Sequence, residues 1–198
     1  MTIAIIVIVV VVVLLIAWVI VGYNGLVRSR NGYQNAFAQI DVQLQRRFDL
    51  IPNLVETAKA YMAHERETLE AVTAARAAAV TGLQQAQANP GDPAAMAQLA
   101  ATQGALTSAL GRFTAVAEAY PDLKANQNML ALQEELTSTE NRVAFARQAY
   151  NDAVLTYNNR RQSFPASVLA GMFHFGPAAQ WQIDPGRPEV RDAPRVQF

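Results

Sequence analysis

The residues from Ile3 to Val21 read IAIIVIVVVVVLLIAWVIV, an uninterrupted apolar run without a charge, a glycine or a proline. As a helix rising about 1.5 Å per residue, this run crosses most of a hydrocarbon core of about 30 Å. A lone segment satisfies its backbone polar groups there only as a helix. Trp18 and Tyr23 bracket the end of the run, at the depth that amphipathic rings favour. The sequence therefore predicts a membrane anchor over residues 1–24.

The charges beside this anchor predict its orientation. No Asp or Glu occurs before Asp41, whereas Arg28 and Arg30 follow the apolar run directly. Positive residues close to a span are retained in the cytoplasm, which places the N-terminus outside and the rest of the chain inside. A cleaved signal peptide would also begin with an apolar core. However, a basic n-region and a small-x-small site before Tyr23 are both missing, so we expect a retained anchor.

The composition excludes several classes of chemistry. The chain has 16 basic and 16 acidic residues and no cysteine. Balanced charge gives no overall field to attract nucleic acid. Without cysteine there are no disulfides and no thiol chemistry. A glycine-rich phosphate loop and a nucleophile elbow are also missing, so we predict no enzyme activity, catalytic residue, cofactor, nucleic-acid partner or small-molecule substrate.

Beyond the anchor, apolar residues recur every three or four positions from Tyr33 onward, which is typical of packed helices. Pro52 lacks a backbone N–H and disfavours a helical conformation at Ile51. The pattern therefore predicts that the first helix after the anchor ends or kinks near Asp49, and that Pro52 opens the next helix.

Three further helices are predicted from the same spacing, over residues 55–83, 96–120 and 132–157. Asp92 can cap the third helix with Pro93 at its first position. Because short connections cannot return the chain to the far end of a helix, consecutive helices must be antiparallel. We predict an all-α fold in which an elongated antiparallel bundle of about four long helices occupies residues 25–164.

Residues 165–198 change to a proline- and glycine-rich composition with scattered aromatic residues. Composition alone is compatible with a disordered tail. The aromatic content favours instead an extended tail that lies in a groove of its own bundle or of a neighbouring one.

A charged cluster surrounds Pro52 and has two interpretations. Its residues could form interhelical ion pairs on a solvated face, or the break in the helix could present Arg47 and Asp49 to a neighbouring protomer. Together with the aromatic residues of the tail, the cluster gives the candidate oligomer or partner interface: Arg46, Arg47, Asp49, Pro52, Phe173, Phe175, Trp181 and Phe198.

His64, Glu65 and Glu67 resemble a metal-binding turn at first sight. A metalloprotease helix would need a second histidine at position 68, where Thr68 stands, and a carboxylate-bridged di-iron helix would need a glutamate at Tyr61. We therefore predict no metal site here.

Several blocks of the chain closely resemble the LemA family of bacterial membrane proteins. They are QIDVQLQRRFDLIPNLVET at residues 39–57, AHERETLEAV at 63–72, EAYPDLKAN at 118–126, EEL at 134–136, TENR at 139–142, YNDA at 150–153 and VQF at 196–198. The departures are Phe48, where the family usually has a polar aromatic residue or a histidine, and the tail around His174 and Trp181.

The resemblance implies a single-pass protein of the bacterial inner membrane, with a long-helix bundle on its cytoplasmic or its envelope side and no established enzyme activity. It also implies a context of HtpX-type membrane proteases, TPM-domain membrane proteins and magnetosome membranes. We expect a bundle that contacts membrane lipid and self-assembles into a scaffold, either a ring or a cage, that organises the envelope membrane. The alternative is an adaptor that binds a membrane protease or another client through the bundle and the tail.

Overall fold

The structure is a computed structural model that describes residues 1–182; the predicted interface residue Phe198 lies outside the described residues. In chain order the helices are α1 (Thr2–Lys59), α2 (Arg66–Ala88), α3 (Pro93–Ala117), α4 (Pro121–Lys124), α5 (Gln127–Gln162) and α6 (Ala166–Met172). The described residues contain no β-strand. The prediction of an all-α fold with an N-terminal apolar helix and a long-helix bundle is confirmed.

The apolar anchor and the first helix of the bundle are one continuous helix. α1 has 58 residues, so it is about 87 Å long. Its N-terminal part is long and apolar enough to cross a membrane, and none of that part is buried against the rest of the chain. The helix then enters the bundle, where Leu26 is fully buried. The bundle therefore begins directly at the end of the apolar run.

The bundle is built on the antiparallel pairing of α1 with α5. Arg46 of α1 pairs with Glu135 near the start of α5, while the Arg160 guanidinium near the end of α5 lies against Gly25. We call the end near Gly25 the membrane-proximal end and the opposite end the distal end. α2 and α3 form a hairpin that packs beside this pair.

Core residues follow the predicted helical spacing. Large side chains that are fully or nearly fully buried recur on α1, α3 and α5 because each helix turns one face towards its neighbours. They are Tyr33, Phe37, Ile40, Leu44, Ile51, Leu54, Met96, Leu99, Leu106, Phe113, Tyr150, Val154 and Tyr157.

The predicted end of the helix near Asp49, with Pro52 opening the next helix, is wrong, while the alternative of a kink there stays a prediction. α1 continues through Pro52 and ends at Lys59. A proline inside a helix leaves the carbonyl four residues earlier without its usual N–H donor. That carbonyl belongs to Phe48, and Arg76 of α2 donates to it from Nε at 2.6 Å. The proline is tolerated because a side chain from the adjacent helix replaces the missing donor, and Pro52 itself is exposed.

The turn between α2 and α3 is confirmed. Asp92 caps α3 and accepts a hydrogen bond from the Ala95 N–H at 2.9 Å, and Pro93 is the first helical residue. Gly91 has a φ of 93°, a left-handed conformation that glycine adopts without steric cost.

The distal end is joined by two side-chain hydrogen bonds between its loops. The Tyr120 hydroxyl donates to Glu65 at 3.1 Å, and Asn126 donates to the Tyr61 hydroxyl at 3.0 Å. These bonds link the loop that follows α1 to the segments on either side of α4. Glu65 is thus used within the chain, in the same loop as His64.

We expect Arg76→Leu to destabilise the bundle by about 1–3 kcal/mol, because it leaves the Phe48 carbonyl without its donor. Pro52→Ala restores the N–H at position 52, so Arg76→Leu should cost less in that background. A double-mutant cycle measured by chemical denaturation checks this. Arg112→Leu, at an exposed arginine, is the control. If Arg76→Leu lowered the free energy of unfolding equally with Pro52 and with Pro52→Ala, Arg76 would not be replacing the missing N–H donor.

Candidate interaction surfaces

The predicted anchor residues lie along the exposed part of α1. Ile3 and Val21 are largely exposed, as is expected of side chains that lipid covers in the membrane. Trp18 and Tyr23 are about one-third exposed and lie near the end of the apolar run. The basic residues Arg28 and Arg30 follow on the next turns of α1.

The charged cluster around Pro52 forms ion pairs within the chain. Arg46 lies 2.5 Å from Glu135 of α5, and its side chain is about half exposed. Arg47 is buried, donates to the Thr107 hydroxyl of α3 at 3.2 Å, and lies 3.9 Å from Glu140 of α5. Arg47 therefore joins three helices of its own chain, contrary to the predicted presentation to a neighbouring protomer.

Burial has an electrostatic consequence for Arg47. Desolvation lowers the pKa of its guanidinium, and the nearby Glu140 carboxylate opposes that shift. The guanidinium keeps its charge because the ordinary pKa of arginine is so high. Asp49 and Pro52 are exposed, and their role in an interface stays a prediction.

The tail contacts its own bundle over the described residues. α5 ends at Gln162, and α6 packs against α1 at the membrane-proximal end, where the Leu169 side chain lies on Gly22. His174 then adopts a φ of 55°, and the Phe175 N–H bonds to the Ala170 carbonyl at 2.9 Å. This left-handed cap ends α6 and reverses the chain.

After the reversal, residues 176–181 run back along α5 in an extended conformation. Two asparagines of α5 each bind both backbone groups of one tail residue. Asn158 donates to the Ala178 carbonyl at 2.8 Å and accepts from its N–H at 3.1 Å. Asn151 does the same with Trp181, at 3.1 and 2.8 Å.

The tyrosines that precede these asparagines also bind the tail backbone. Tyr157 donates to the Gly176 carbonyl at 2.6 Å, and Tyr150 donates to the Ala179 carbonyl at 2.8 Å. We call the four residues Tyr150, Asn151, Tyr157 and Asn158 the tail clamp. All the hydrogen bonds that these four side chains make to the tail reach backbone atoms.

The spacing of the tail clamp matches an extended chain. Its two Tyr-Asn pairs are seven residues apart on α5, which is about 10.5 Å along a helix. Ala178 and Trp181, the residues they bind, are three apart, which is about 10 Å in an extended segment. A helix and an antiparallel extended chain therefore stay in register over both pairs.

Two predicted interface residues are enclosed by these contacts. Trp181 and Phe175 are buried within the chain. The Phe175 ring lies 5.7 Å from the Tyr23 ring, and the Arg30 guanidinium lies 5.2 Å from its centre. These side chains are thus committed to their own bundle, while Phe173 stays about half exposed.

The tail also touches the turn between α2 and α3. The Ala179 N–H donates to the Gly91 carbonyl at 2.8 Å. A Cβ on Gly91 would lie 3.1 Å from both Ala178 and Tyr33, so glycine is needed here for close approach as well as for its φ. The tail therefore joins α5 to the α2–α3 hairpin.

Three tyrosine rings pack together beneath the tail. The Tyr33 ring is 5.1 Å from the Tyr157 ring and 6.4 Å from the Tyr150 ring. Burial raises the pKa of all three phenols above the ordinary value, and neighbouring tyrosines raise the pKa of Tyr33 and Tyr150 further. The neutral phenol, which the tail clamp needs as a donor, is the form that the fold favours.

α5 also exposes large apolar side chains on its outer face. Leu130, Phe145 and Leu155 are at least half exposed, and Phe145 is 74% exposed. At 3.6 residues per turn, the three positions fall within about 80° of arc. They lie on one side of α5, where exposed polar residues that include Glu134, Asn141 and Asp152 separate them.

A groove lies between the distal part of α1 and α2. Its volume is about 660 Å³, and Val55, Leu69 and Thr73 are among the residues that line it. Most of its lining surface is apolar. Within residues 1–182, no three His, Cys, Asp or Glu side chains lie close enough to hold a metal ion.

Tyr150 and Tyr157 fall within the helix predicted over residues 132–157, but the tail clamp was not predicted. The sequence does contain a signal for the tail clamp. The dipeptide Tyr-Asn occurs at residues 150–151 and again at 157–158, which places both pairs on one side of a helix. An asparagine next to a core-facing tyrosine, repeated after seven residues, indicates a polar groove beside the core.

The fold and these surfaces define a class: a membrane-associated helical bundle that continues an apolar N-terminal helix. Comparison with known proteins agrees, because the sequence model of the LemA family matches residues 36–198. The chain belongs to the LemA family. The matched region covers the bundle and the tail and begins after the apolar run.

The individual relatives share about a quarter of their aligned residues with this chain. The chain is 28% identical to magnetosome protein MamQ 2 of Paramagnetospirillum magneticum over 185 residues, which covers 86% of this chain and 68% of that protein. It is 26% identical to magnetosome protein MamQ of Magnetospirillum gryphiswaldense, over 78% of this chain and 62% of the relative. It is also 26% identical to protein LemA of Metamycoplasma hominis, over 74% and 63%.

We expect the double variant Asn151→Ala, Asn158→Ala to release the tail, because it removes four hydrogen bonds to backbone groups. At about 1 kcal/mol or more for each clamped residue, amide exchange over residues 176–181 should accelerate at least about tenfold. Hydrogen exchange mass spectrometry of the full chain in detergent measures this. Asn141→Ala, at an exposed asparagine of α5, is the control. Unchanged exchange in the double variant would show that apolar contacts alone hold the tail.

The tail should also be released at high pH. A raised folded-state pKa means that Tyr150 and Tyr157 stabilise the packed tail fully below about pH 10, and that this contribution is lost as the pH rises above that value. In a Trp18→Phe background, Trp181 is the only tryptophan. Its emission should shift to the red above about pH 10, and the shift should begin at a different pH when Tyr150→Phe is added. A shift that is identical with and without Tyr150→Phe would contradict the role of this phenol.

Proposed function

We propose that this protein is a non-enzymatic membrane scaffold whose bundles assemble side by side into a ring or a cage that organises the bacterial envelope membrane. The observation that carries the proposal is the continuity of α1 from the apolar run into the bundle. A continuous helix transmits the orientation of the bundle to the membrane, whereas a flexible linker would not. Bundles in fixed mutual contact would therefore impose a geometry on the bilayer.

The exposed apolar side chains on the outer face of α5, Phe145 above all, supply a site for such contacts. Phe145 projects from the middle of the longest bundle helix other than α1 and is mostly exposed. Exposed aromatic residues of this size are typical anchors of protein interfaces. The similarity to two proteins named magnetosome proteins also supports a role at a membrane, although their names describe those proteins alone.

The proposed location is the bacterial inner membrane with the bundle in the cytoplasm. Arg28 and Arg30 support this orientation, and the fold adds Arg160, because the end of α5 returns to Gly25. Positive charge collected at one end of a span is typical of its cytoplasmic side. Labelling of a Gln84→Cys variant, at an exposed position of α2, by a membrane-impermeant maleimide in intact cells would contradict this orientation.

The scaffold predicts a discrete multimer of the full-length protein in mild detergent, measured by light scattering. Phe145→Asp should place a charge in the interface and raise the concentration needed for assembly by at least about tenfold, which is about 1.4 kcal/mol. Gln84→Asp adds the same charge at an exposed position of α2 and should leave assembly unchanged. A monomer at every concentration would remove the scaffold proposal.

A second candidate is an adaptor for a client such as a membrane protease, and the distal groove favours it. The groove is apolar, open and at the end of the bundle far from the membrane. Thr73→Arg would fill it without touching the core, because Thr73 is exposed. We expect a stoichiometric partner of the wild type to be lost from this variant and retained with Gln84→Asp. A partner that binds Thr73→Arg equally well would exclude the groove.

A further inference from the structure

The membrane-proximal end exposes a second apolar surface, next to the point where α1 leaves the apolar run. Phe164, Val168 and Met172 are spaced by four residues and are 84%, 49% and 64% exposed. Val168 and Met172 lie one turn apart on α6, on the side away from its buried residues Leu169 and Ala170. We call Phe164, Val168, Met172 and the half-exposed Phe173 the α6 apolar face.

The height of this face relative to the membrane follows from its contacts with α1. Leu169 of α6 lies against Gly22, the residue immediately after the apolar run. The Phe173 ring packs edge-on against the Tyr23 ring, with 4.9 Å between centroids. Residues 3–21 already span most of the hydrocarbon core, so Gly22 and Tyr23 lie at the boundary between acyl chains and headgroups. α6 is held at that same boundary.

Among residues 1–182, the charged residues near α6 are all basic, which favours contact with anionic lipid headgroups. The two segments that build this end, residues 1–40 and 153–182, contain no Asp or Glu but contain Arg28, Arg30, Arg160 and Arg161. A cationic rim around an apolar face is the pattern of segments that lie in the membrane interface and attract anionic headgroups.

We propose that the α6 apolar face is a second membrane attachment site, which inserts into the headgroup and acyl-chain boundary of the bilayer that α1 crosses. The occupant is lipid rather than another protein because the face continues the apolar surface of α1 at the same depth. Removing four side chains of this size from water favours the inserted position.

Attachment at two points restricts the bundle in a way that one helix cannot. A single crossing helix is free to tilt and to rotate about its own axis, and its tilt is set by neighbouring contacts and interfacial anchors. α6 lies to one side of α1, so its insertion selects one rotation and one range of tilt. This restriction of tilt and rotation does not need self-assembly, so the attachment site and the scaffold are tested independently.

The test measures how deeply single labelled cysteines lie in the bilayer. Because the sequence has no native cysteine, each variant carries one label at one known position. Full-length Val168→Cys and Met172→Cys carry an environment-sensitive fluorophore in nanodiscs of phosphatidylcholine and phosphatidylglycerol. Val42→Cys is the matched control: Val42 is 57% exposed and lies about 31 Å along α1 from the end of the apolar run. All variants are made in the Trp18→Phe background, so that Trp181 emission verifies in each of them that the tail remains packed.

At Val168 and Met172 we expect quenching by spin-labelled lipid to be severalfold stronger than at Val42, and quenching by aqueous iodide severalfold weaker. Iodide quenching equal to that of Val42 would overturn the proposal, because the face would then be in water. Protection from iodide without quenching by lipid would also overturn it, since protein would then cover the face. A monomer that shows the expected quenching would retain this inference and remove the scaffold.

Discussion

The antiparallel pairing of α1 with α5 is the contact on which every other part of the molecule depends. It buries the tyrosine cluster, forms one wall of the groove that holds the tail, and brings the end of α5 back to Gly25. α6 is positioned beside the membrane only because α5 has nearly the length of the bundle part of α1. A shorter α5 would leave α6 farther from Gly22 and from the end of the apolar run.

α1 stays helical through Pro52, although proline disfavours a continuous helix. Pro52 removes one helical hydrogen bond, and the Arg76 side chain from α2 replaces it. Arg47, which is buried, lies close by and bonds to α3. The middle of the bundle is therefore held by polar contacts between helices in addition to its apolar core. Because alanines fill much of α2 and α3, such contacts matter more here than in a leucine-rich bundle.

The sequence was informative where periodicity or turn chemistry decided the structure. The apolar run, the core spacing of α3 and α5, and the Asp92-Pro93 start of α3 all followed from local rules. The continuation of α1 through Pro52 did not, because its explanation is an arginine 24 positions away in the chain. For the same reason the partners of Arg47 and Trp181 depended on which helices become neighbours. Local pattern cannot supply that information.

The tail clamp recognises the backbone of the tail and ignores most of its side chains. Its four side chains bind carbonyl and amide groups of residues 176–181. Relatives could therefore change most residues of this segment freely during evolution. An insertion or a deletion between the two clamped positions is different, because it would move one Tyr-Asn pair out of step with the chain. This part of the tail should diverge in composition while it keeps its length.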